Sequence, residues 1–192
     1  MSRARRASYT RAMAVLIGIL IALGALVVLV ILAGFLSPRK AFVQRSLEID
    51  ASPDRVFPYL NNLRNFVDHW SPWTEKDPQA KHEYNEIAEG AGARYAWTGH
   101  PKKVGTGSME IRESEPGKRV KTFLQFKGRG EAFASWHVQD LGSGRTRVTW
   151  DFEADNGWNP VSRIFGLLMD RFLGPDYEKG LSKLKSVCER KS

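Results

Sequence analysis

The chain has 192 residues, 42% of them hydrophobic, and 29 Lys and Arg against 21 Asp and Glu give a net charge of +8. Six basic residues and no acidic residue precede position 41, so residues 41–192 carry a net charge of only +2. Nucleic-acid-binding domains concentrate positive charge where they dock, so this balance argues against a nucleic-acid partner. The single cysteine, Cys188, excludes an internal disulfide and a multi-cysteine zinc site.

The first predicted element is a transmembrane helix over residues 12–36. This stretch contains no charged, Asn, Gln or Pro residue, and 25 helical residues at about 1.5 Å each are long enough to cross a bilayer. The alternative is a cleaved secretory signal, whose apolar region usually spans only about 7–15 residues. The length therefore favours a span that remains attached, preceded by a basic tail (1–11) and followed by a linker (37–41).

The distribution of basic residues predicts the orientation of the span. Four arginines precede it within the tail, and Arg39, Lys40 and Arg45 follow it. Because basic flanks tend to stay cytoplasmic, we expect a single-pass cell-membrane protein with a cytoplasmic N-terminus and the domain on the outer side. Gly18 and Ala22 form a small-xxx-small pair, which is compatible with weak homodimerisation through the span.

A strand and two short helices are predicted next. Residues 42–49 alternate between apolar and polar, as in a half-buried strand, although Arg45 falls on the apolar face. Ser52-Pro53 is typical of a helix start, with serine as N-cap and proline at the first helical position. A second helical segment is expected over 63–69, and the proline of the following Trp70-Ser71-Pro72-Trp73 is expected to stop regular structure.

From residue 81 onward the pattern is typical of an antiparallel meander, in which short strands alternate with turn-forming residues. The predicted strands are residues 81–85, 94–98, 107–114, 119–126, 131–140 and 145–153. Several of these strands have one apolar face, so another element of the domain must cover the sheet.

The covering element is predicted to be a C-terminal helix. Asn159-Pro160 again gives a cap followed by proline, and apolar residues recur at spacings of 3 and 4 from Val161 onward. Gly174-Pro175 interrupts this stripe, which predicts either one kinked helix or two abutting helices. Together the elements predict an α+β domain over 42–190, in which a curved antiparallel sheet wraps around a long terminal helix.

This order of elements, with several short motifs, resembles the bacterial polyketide cyclase/dehydrase-type members of the SRPBCC (START-like) superfamily. The motifs are ASPDRVF at 51–57, WSPW at 70–73, DP at 77–78, GAGARYAW at 90–97 and YEKGLSKLK at 177–185. The resemblance implies a helix-grip fold with an apolar cavity between the sheet and the terminal helix. Members of this superfamily bind lipids, sterols, polyketides, quinones or plant metabolites, and a minority catalyse cyclisation or dehydration. Because they share no catalytic residue set, the resemblance implies no catalytic residue here.

Residues suited to metal binding or catalysis are scattered. His69, His82, His100 and His137 lack the spacing of metal ligands, so we predict surface or turn histidines, no metal site and no cofactor. His137 could act as an acid or base only if it faced inward. With Trp136 inward, strand alternation sends His137 to solvent instead.

The 21 aromatic residues are the remaining signal. In one interpretation they hold the sheet away from the helix and leave an apolar pocket; in the other they fill a solid core. The pocket interpretation predicts these ligand-binding residues: Tyr95, Trp97, Met109, Leu124, Trp136, Trp150, Phe152, Phe165, Leu168 and Phe172. Trp70 and Trp73 would form a lid near its mouth or close the end of the core.

Three functions remain open at this point. The leading hypothesis is a membrane-anchored domain that binds a small hydrophobic ligand such as a lipid, a quinone or a polyketide-like molecule. The first alternative is a cyclase- or dehydratase-type enzyme, for which the sequence identifies no catalytic residue. The second is a structural or protein-interaction module whose interior is filled.

Overall fold

The computed structural model describes the backbone of residues 3–190 and the side chains of residues 13–190. The described chain divides into two compact units, residues 3–39 with 156–167 and residues 40–155 with 168–190. The first unit contains helix α1 (Arg3–Leu36), which begins within the predicted basic tail. The side chains of that tail lie outside the described ones. The stretch Met13–Leu36 is long and apolar enough to cross a membrane, and no residue in its most apolar part is buried.

The second unit is built on one seven-stranded antiparallel sheet, with the order β1-β7-β6-β5-β4-β3-β2. Its strands are β1 (Lys40–Ile49), β2 (Lys81–Tyr84), β3 (Arg94–Thr98), β4 (Thr106–Glu115), β5 (Arg119–Phe126), β6 (Gly130–Gly142) and β7 (Arg145–Asp155). Each predicted strand is present, and no strand end differs from its predicted position by more than two residues. β1 begins at Lys40, inside the predicted linker.

Short helices connect β1 to β2. They are α2 (Pro53–Asn61), α3 (Leu63–Asn65), a π-helical turn (Phe66–Trp70) and α4 (Pro72–Lys76). Ser52 occupies the N-cap position of α2, but its side chain makes no capping hydrogen bond. The expectation that Pro72 ends regular structure is wrong. Proline fits the first turn of a helix, and α4 begins at Pro72 with the Ser71 hydroxyl accepting from the Trp73 backbone N–H at 3.4 Å.

The terminal helix, α5 (Pro160–Cys188), continues through Gly174-Pro175 as a single helix. Its start is as predicted, because the Asn159 side-chain oxygen accepts from the backbone N–H groups of residues 161 and 162 at 2.9 and 3.2 Å. Within the second unit, Arg45 donates to Asp170 at 2.8 Å and to Glu178 at 2.7 Å, which ties β1 to α5. Gly174 makes this possible, since a side chain there would collide with the Arg45 guanidinium.

The α+β architecture is therefore confirmed, but the space between the sheet and α5 is filled. Trp150 stacks on Tyr177 of α5 with ring centroids 3.8 Å apart, and its ring lies 5.3 Å from that of Trp70. Gly180 allows this close approach, because a Cβ there would lie 2.7 Å from the Trp150 ring. The largest fully buried side chains include Trp70, Trp136, Trp150, Tyr177, Phe66, Ile49, Leu60, Leu63, Met109, Ile111, Leu181 and Leu184. The predicted hollow beneath the terminal helix is therefore not at that position.

Candidate functional site

A pocket of about 220 Å³ lies at the other end of the sheet, between β2–β5, α4 and the loop 99–105. Its walls are formed by Ser71, Trp73, Thr74, Asp77, Ala80, His82, Tyr95, Trp97, Lys103, Val104, Met109, Leu124, Phe126 and Arg129. The pocket is partly open to solvent, and α5 contributes none of these residues. It is smaller than the roughly 300–1,000 Å³ typical of sites for drug-sized ligands.

One wall of the pocket is an apolar row across three strands. Antiparallel register places Tyr95 of β3 opposite Met109 of β4, which is opposite Leu124 of β5. Residues paired in this way point to the same face of a sheet, so the three side chains form one surface. All three are buried.

A second row depends on a glycine. Gly107 of β4 lies between Trp97 of β3 and Phe126 of β5 in register, and these two rings meet across it with centroids 5.8 Å apart. A Cβ at Gly107 would lie 2.5 Å from the Trp97 ring. Gly107 therefore lets the indole lie flat against the sheet, where it forms part of the pocket wall.

The rim of the pocket is polar. Asp77 is buried, and its Oδ2 accepts from the His100 backbone N–H at 2.6 Å, while Lys103 Nζ lies 3.8 Å from Oδ1. The Trp97 indole N–H donates to the Val104 carbonyl at 3.2 Å. These contacts hold the loop 99–105 beside the apolar wall, so one pocket offers both ring surfaces and charged groups.

His82 is the polar group that enters the pocket from β2, opposite Trp97 in register. Its Nδ1 is buried and has no hydrogen-bond partner among the described residues. Burial lowers the pKa of His82 from its ordinary value near 6.5, with Asp68 opposing the shift. Burial also raises the pKa of Tyr95, whose ring centroid lies 5.9 Å from that of His82. A neutral imidazole in this position can give or accept one hydrogen bond within the pocket.

The pKa of His82 leads to a testable pH dependence. Because the fold disfavours the protonated ring, the stability that this group contributes is present above the unfolded pKa and is lost as the pH falls below it. We expect thermal unfolding of the full chain in detergent to shift to lower temperature from about pH 7 to about pH 5, and His82→Gln to reduce this shift. The control is His69→Gln, since His69 is exposed. Equal pH dependence in wild type and His82→Gln would contradict the assignment.

The structure divides the ten predicted site residues into three groups. Tyr95, Trp97, Met109 and Leu124 line the pocket. Trp136, Trp150 and Phe152 are buried in the core but do not line it.

Phe165, Leu168 and Phe172 are 60%, 41% and 63% exposed, so their predicted inward orientation is wrong. The physical reason is helical phase. Tyr177 lies on the buried side of α5. Phe172 precedes it by five residues, and at roughly 100° per residue the two side chains point about 140° apart around the helix axis. Residues on the two sides of this step therefore point in different directions.

The polar pocket residues were not predicted as site residues. The sequence pattern predicts only a surface or turn histidine for His82, and no pattern connects it with Asp77 or Lys103, which lie in separate connections. The interpretation of His137 matches the structure: Trp136 is fully buried, and His137 contacts Asp151 at 2.7 Å on the opposite face. Among the side chains described, no group of three or more His, Cys, Asp or Glu residues is arranged to hold a metal ion.

An antiparallel sheet wrapped around a long terminal helix, with a side pocket, defines a helix-grip domain. The family model described as polyketide cyclase / dehydrase and lipid transport matches residues 40–189, and the chain belongs to this family. No curated protein gives a significant match.

Several solved structures share the fold. A protein from Chromobacterium violaceum, CV1439, is 12% identical with a TM-score of 0.56, covering 79% of this chain and 99% of its own. A hypothetical protein from Helicobacter pylori, jhp0584, is 11% identical with a TM-score of 0.58 and coverages of 77% and 88%. CalU16 from Micromonospora echinospora is 15% identical with a TM-score of 0.51 and coverages of 78% and 83%. At these identities the likeness shows the fold alone.

Proposed function

We propose that this chain is a membrane-anchored protein whose domain binds a small amphipathic molecule, such as the ring or head of a lipid, a quinone or a polyketide-like compound. The observation that carries the proposal is the pocket between β2–β5 and α4, where an apolar wall meets the imidazole of His82 and the charged groups of Asp77 and Lys103. Ring surfaces and polar groups that line one pocket suit a ligand with both an apolar and a polar part.

The dimensions of the pocket limit the ligand. A volume of about 220 Å³ holds a small ring system or one end of a longer molecule, and the partial opening allows the remainder to project outward. Ring surfaces from Trp73, Tyr95 and Trp97 favour a flat or unsaturated group. Lys103 and Arg129 at the rim favour a ligand with an oxygen-rich or anionic part near the mouth.

The apolar helix supports the proposed location. Met13–Leu36 has the length and composition of a span, and only three residues separate α1 from β1. A binding domain attached to a bilayer by so short a connection stays where apolar ligands are concentrated. The basic flanks favour a cytoplasmic N-terminus and a domain on the outer side of the cell membrane.

Native mass spectrometry of the full chain tests the proposal. The chain is extracted from host membranes in detergent, and the detergent micelle is removed inside the mass spectrometer. A parallel sample is extracted with organic solvent to identify any bound small molecule. We expect an adduct of one amphipathic species, enriched over a control membrane protein carried through the same purification. A bare protein mass with no enriched species, together with no adduct after addition of menadione or decanoate, would contradict ligand binding.

Catalysis is a second candidate function, favoured by the neutral His82 facing the pocket. A neutral imidazole can accept a proton from a bound substrate. Incubation of the recovered adduct separates the two functions, because an enzyme converts the species whereas a binding protein returns it unchanged. The third alternative is a structural or protein-interaction module, which the filled space beneath α5 favours. Such a module would give no adduct in the same experiment.

A further inference from the structure

The segment 156–167 packs against the end of α1 within the first compact unit. The Asn156 backbone N–H donates to the Arg39 carbonyl at 2.9 Å. Arg163 donates from Nη1 to the Phe35 carbonyl at 3.0 Å. Gly34 and Pro160 are also in close contact, since a Cβ on Gly34 would lie 2.6 Å from the Pro160 Cβ. These contacts place the segment beside the last turn of α1.

Arg163 is built into this arrangement. It is only 6% exposed, its Nε donates to the Gly157 carbonyl at 2.9 Å, and its guanidinium carbon lies 5.2 Å from the Trp158 ring centroid. The last carbonyls of a helix have no partners within it, and a cation there is favourable. Arg163 therefore caps the end of α1, and Trp158 is held close to that end.

The exposed side chains of the segment are mostly apolar. Trp158 is 75%, Val161 53% and Phe165 60% exposed. Val161 and Phe165 are four residues apart and lie on the same side of α5. Arg163 is the only charged residue between positions 156 and 167. Its guanidinium is buried and donates to backbone carbonyls of the first unit, so it adds no charge to the exposed surface. The surface thus combines an exposed tryptophan with aliphatic and aromatic groups and carries no exposed charge. Exposed apolar patches of this kind are typical of surfaces that contact a membrane or another protein.

We propose that the segment 156–167 is a second membrane-contacting element, which inserts Trp158 and its apolar neighbours into the lipid headgroup and acyl-chain boundary where α1 leaves the bilayer. This inference rests on the proposed function, because it requires α1 to span a membrane. The bilayer is the occupant that the structure favours, since the surface adjoins the end of the apolar helix. Tryptophan is the residue typical of this depth, and an apolar helix start beside a span lies readily in the interface.

Trp158 is a natural reporter for the test. Helix α1 contains no tryptophan, and the other five tryptophans lie in the second unit, where all are at least half-buried. The full chain is reconstituted into phosphatidylcholine nanodiscs with or without bromine on the acyl carbons nearest the headgroup. The emission of Trp158 is the difference between wild type and Trp158→Phe. We expect this emission to lie at short wavelength and to lose most of its intensity in brominated lipid.

A pair of variants strengthens the test. Phe165→Asp places a charge in the proposed contact and should reduce the quenching of Trp158, whereas Ile87→Asp, at a residue 49% exposed in the second unit, should leave it unchanged. Near-ultraviolet circular dichroism of the buried tryptophans reports whether each variant is folded.

The outcomes distinguish this inference from the proposed function. Chain that fails to enter nanodiscs would overturn the span and this contact together. Chain that enters nanodiscs, with Trp158 emission unquenched at long wavelength, would overturn this contact alone. Unquenched emission at short wavelength would show that protein, such as a second copy of the chain, covers Trp158, and would also overturn the contact.

Discussion

Replacement of Trp150 by alanine is expected to lower the free energy of unfolding by about 3–5 kcal/mol, the range for large aromatic residues in cores. Trp150 is 1% exposed, stacks on Tyr177, and lies between β7 and α5 with Gly180 against its ring. Its removal leaves a cavity that neighbouring large rings cannot close without moving from their own contacts. The effect should therefore be among the largest of any single substitution in the chain.

The matched control is Trp158→Ala, which removes the same side chain from a site that is 75% exposed. We expect this change to cost less than about 1 kcal/mol, as is usual for surface substitutions. Denaturant unfolding of the full chain in detergent micelles, followed by near-ultraviolet circular dichroism, measures both. If Trp150→Ala behaved like Trp158→Ala, the interior beneath α5 would not be tightly packed.

Replacement of Leu124 by tryptophan is expected to weaken binding of the probe menadione at least tenfold, or about 1.4 kcal/mol. Leu124 lies in the apolar wall opposite Met109, and the larger ring would project into a volume of only about 220 Å³. Part of the new side chain can occupy the open pocket, so the cost of overpacking should be small compared with that in a closed core. The variant should therefore fold and lose binding.

Phe123→Trp is the control, because it changes the neighbouring residue of β5, which points to the other face and packs on Phe133 with centroids 5.3 Å apart. Native mass spectrometry of both variants with menadione gives the bound fraction at each concentration. Equal binding by Leu124→Trp and wild type would show that this pocket is not the ligand site.

The fold could be predicted from the sequence because its signals are local. Alternation in the strands, glycine-rich turns and a proline after a capping asparagine each depend on a few neighbouring residues. The seven strands and α5 follow from these signals. Pro72 was misinterpreted since proline both ends and begins helices, and the start of α4 depends on the Ser71 cap.

The candidate site was predictable only in part. Tyr95, Trp97, Met109 and Leu124 share the apolar sheet face, so alternation identified them. Alternation could not tell which end of that face remains open, because this depends on how the rings of Trp136 and Trp150 fill the other end. The outward orientation of Phe165, Leu168 and Phe172 could not be predicted, because hydrophobicity alone does not distinguish a core face from an exposed apolar surface.

The polar part of the pocket could not be predicted. Asp77 follows α4, His82 lies on β2 and Lys103 lies in the loop 99–105. No local sequence pattern links these three elements, so their meeting at the pocket could not be foreseen. Only the tertiary structure shows that the Nδ1 of His82 is buried without a partner in the described part of the chain. Isolated polar residues of this kind carry no periodic signal that marks them as functional.

The position of the ligand can be measured directly from the indole N–H resonances of the six tryptophans. The full chain, labelled with ¹⁵N in detergent micelles, is titrated with menadione, and each resonance is assigned by a Trp→Phe substitution. We predict that the resonances of Trp73 and Trp97 shift, while those of Trp136 and Trp150 remain in place. Shifts confined to Trp136 and Trp150, or no shift in any resonance, would contradict a binding site between β2–β5 and α4.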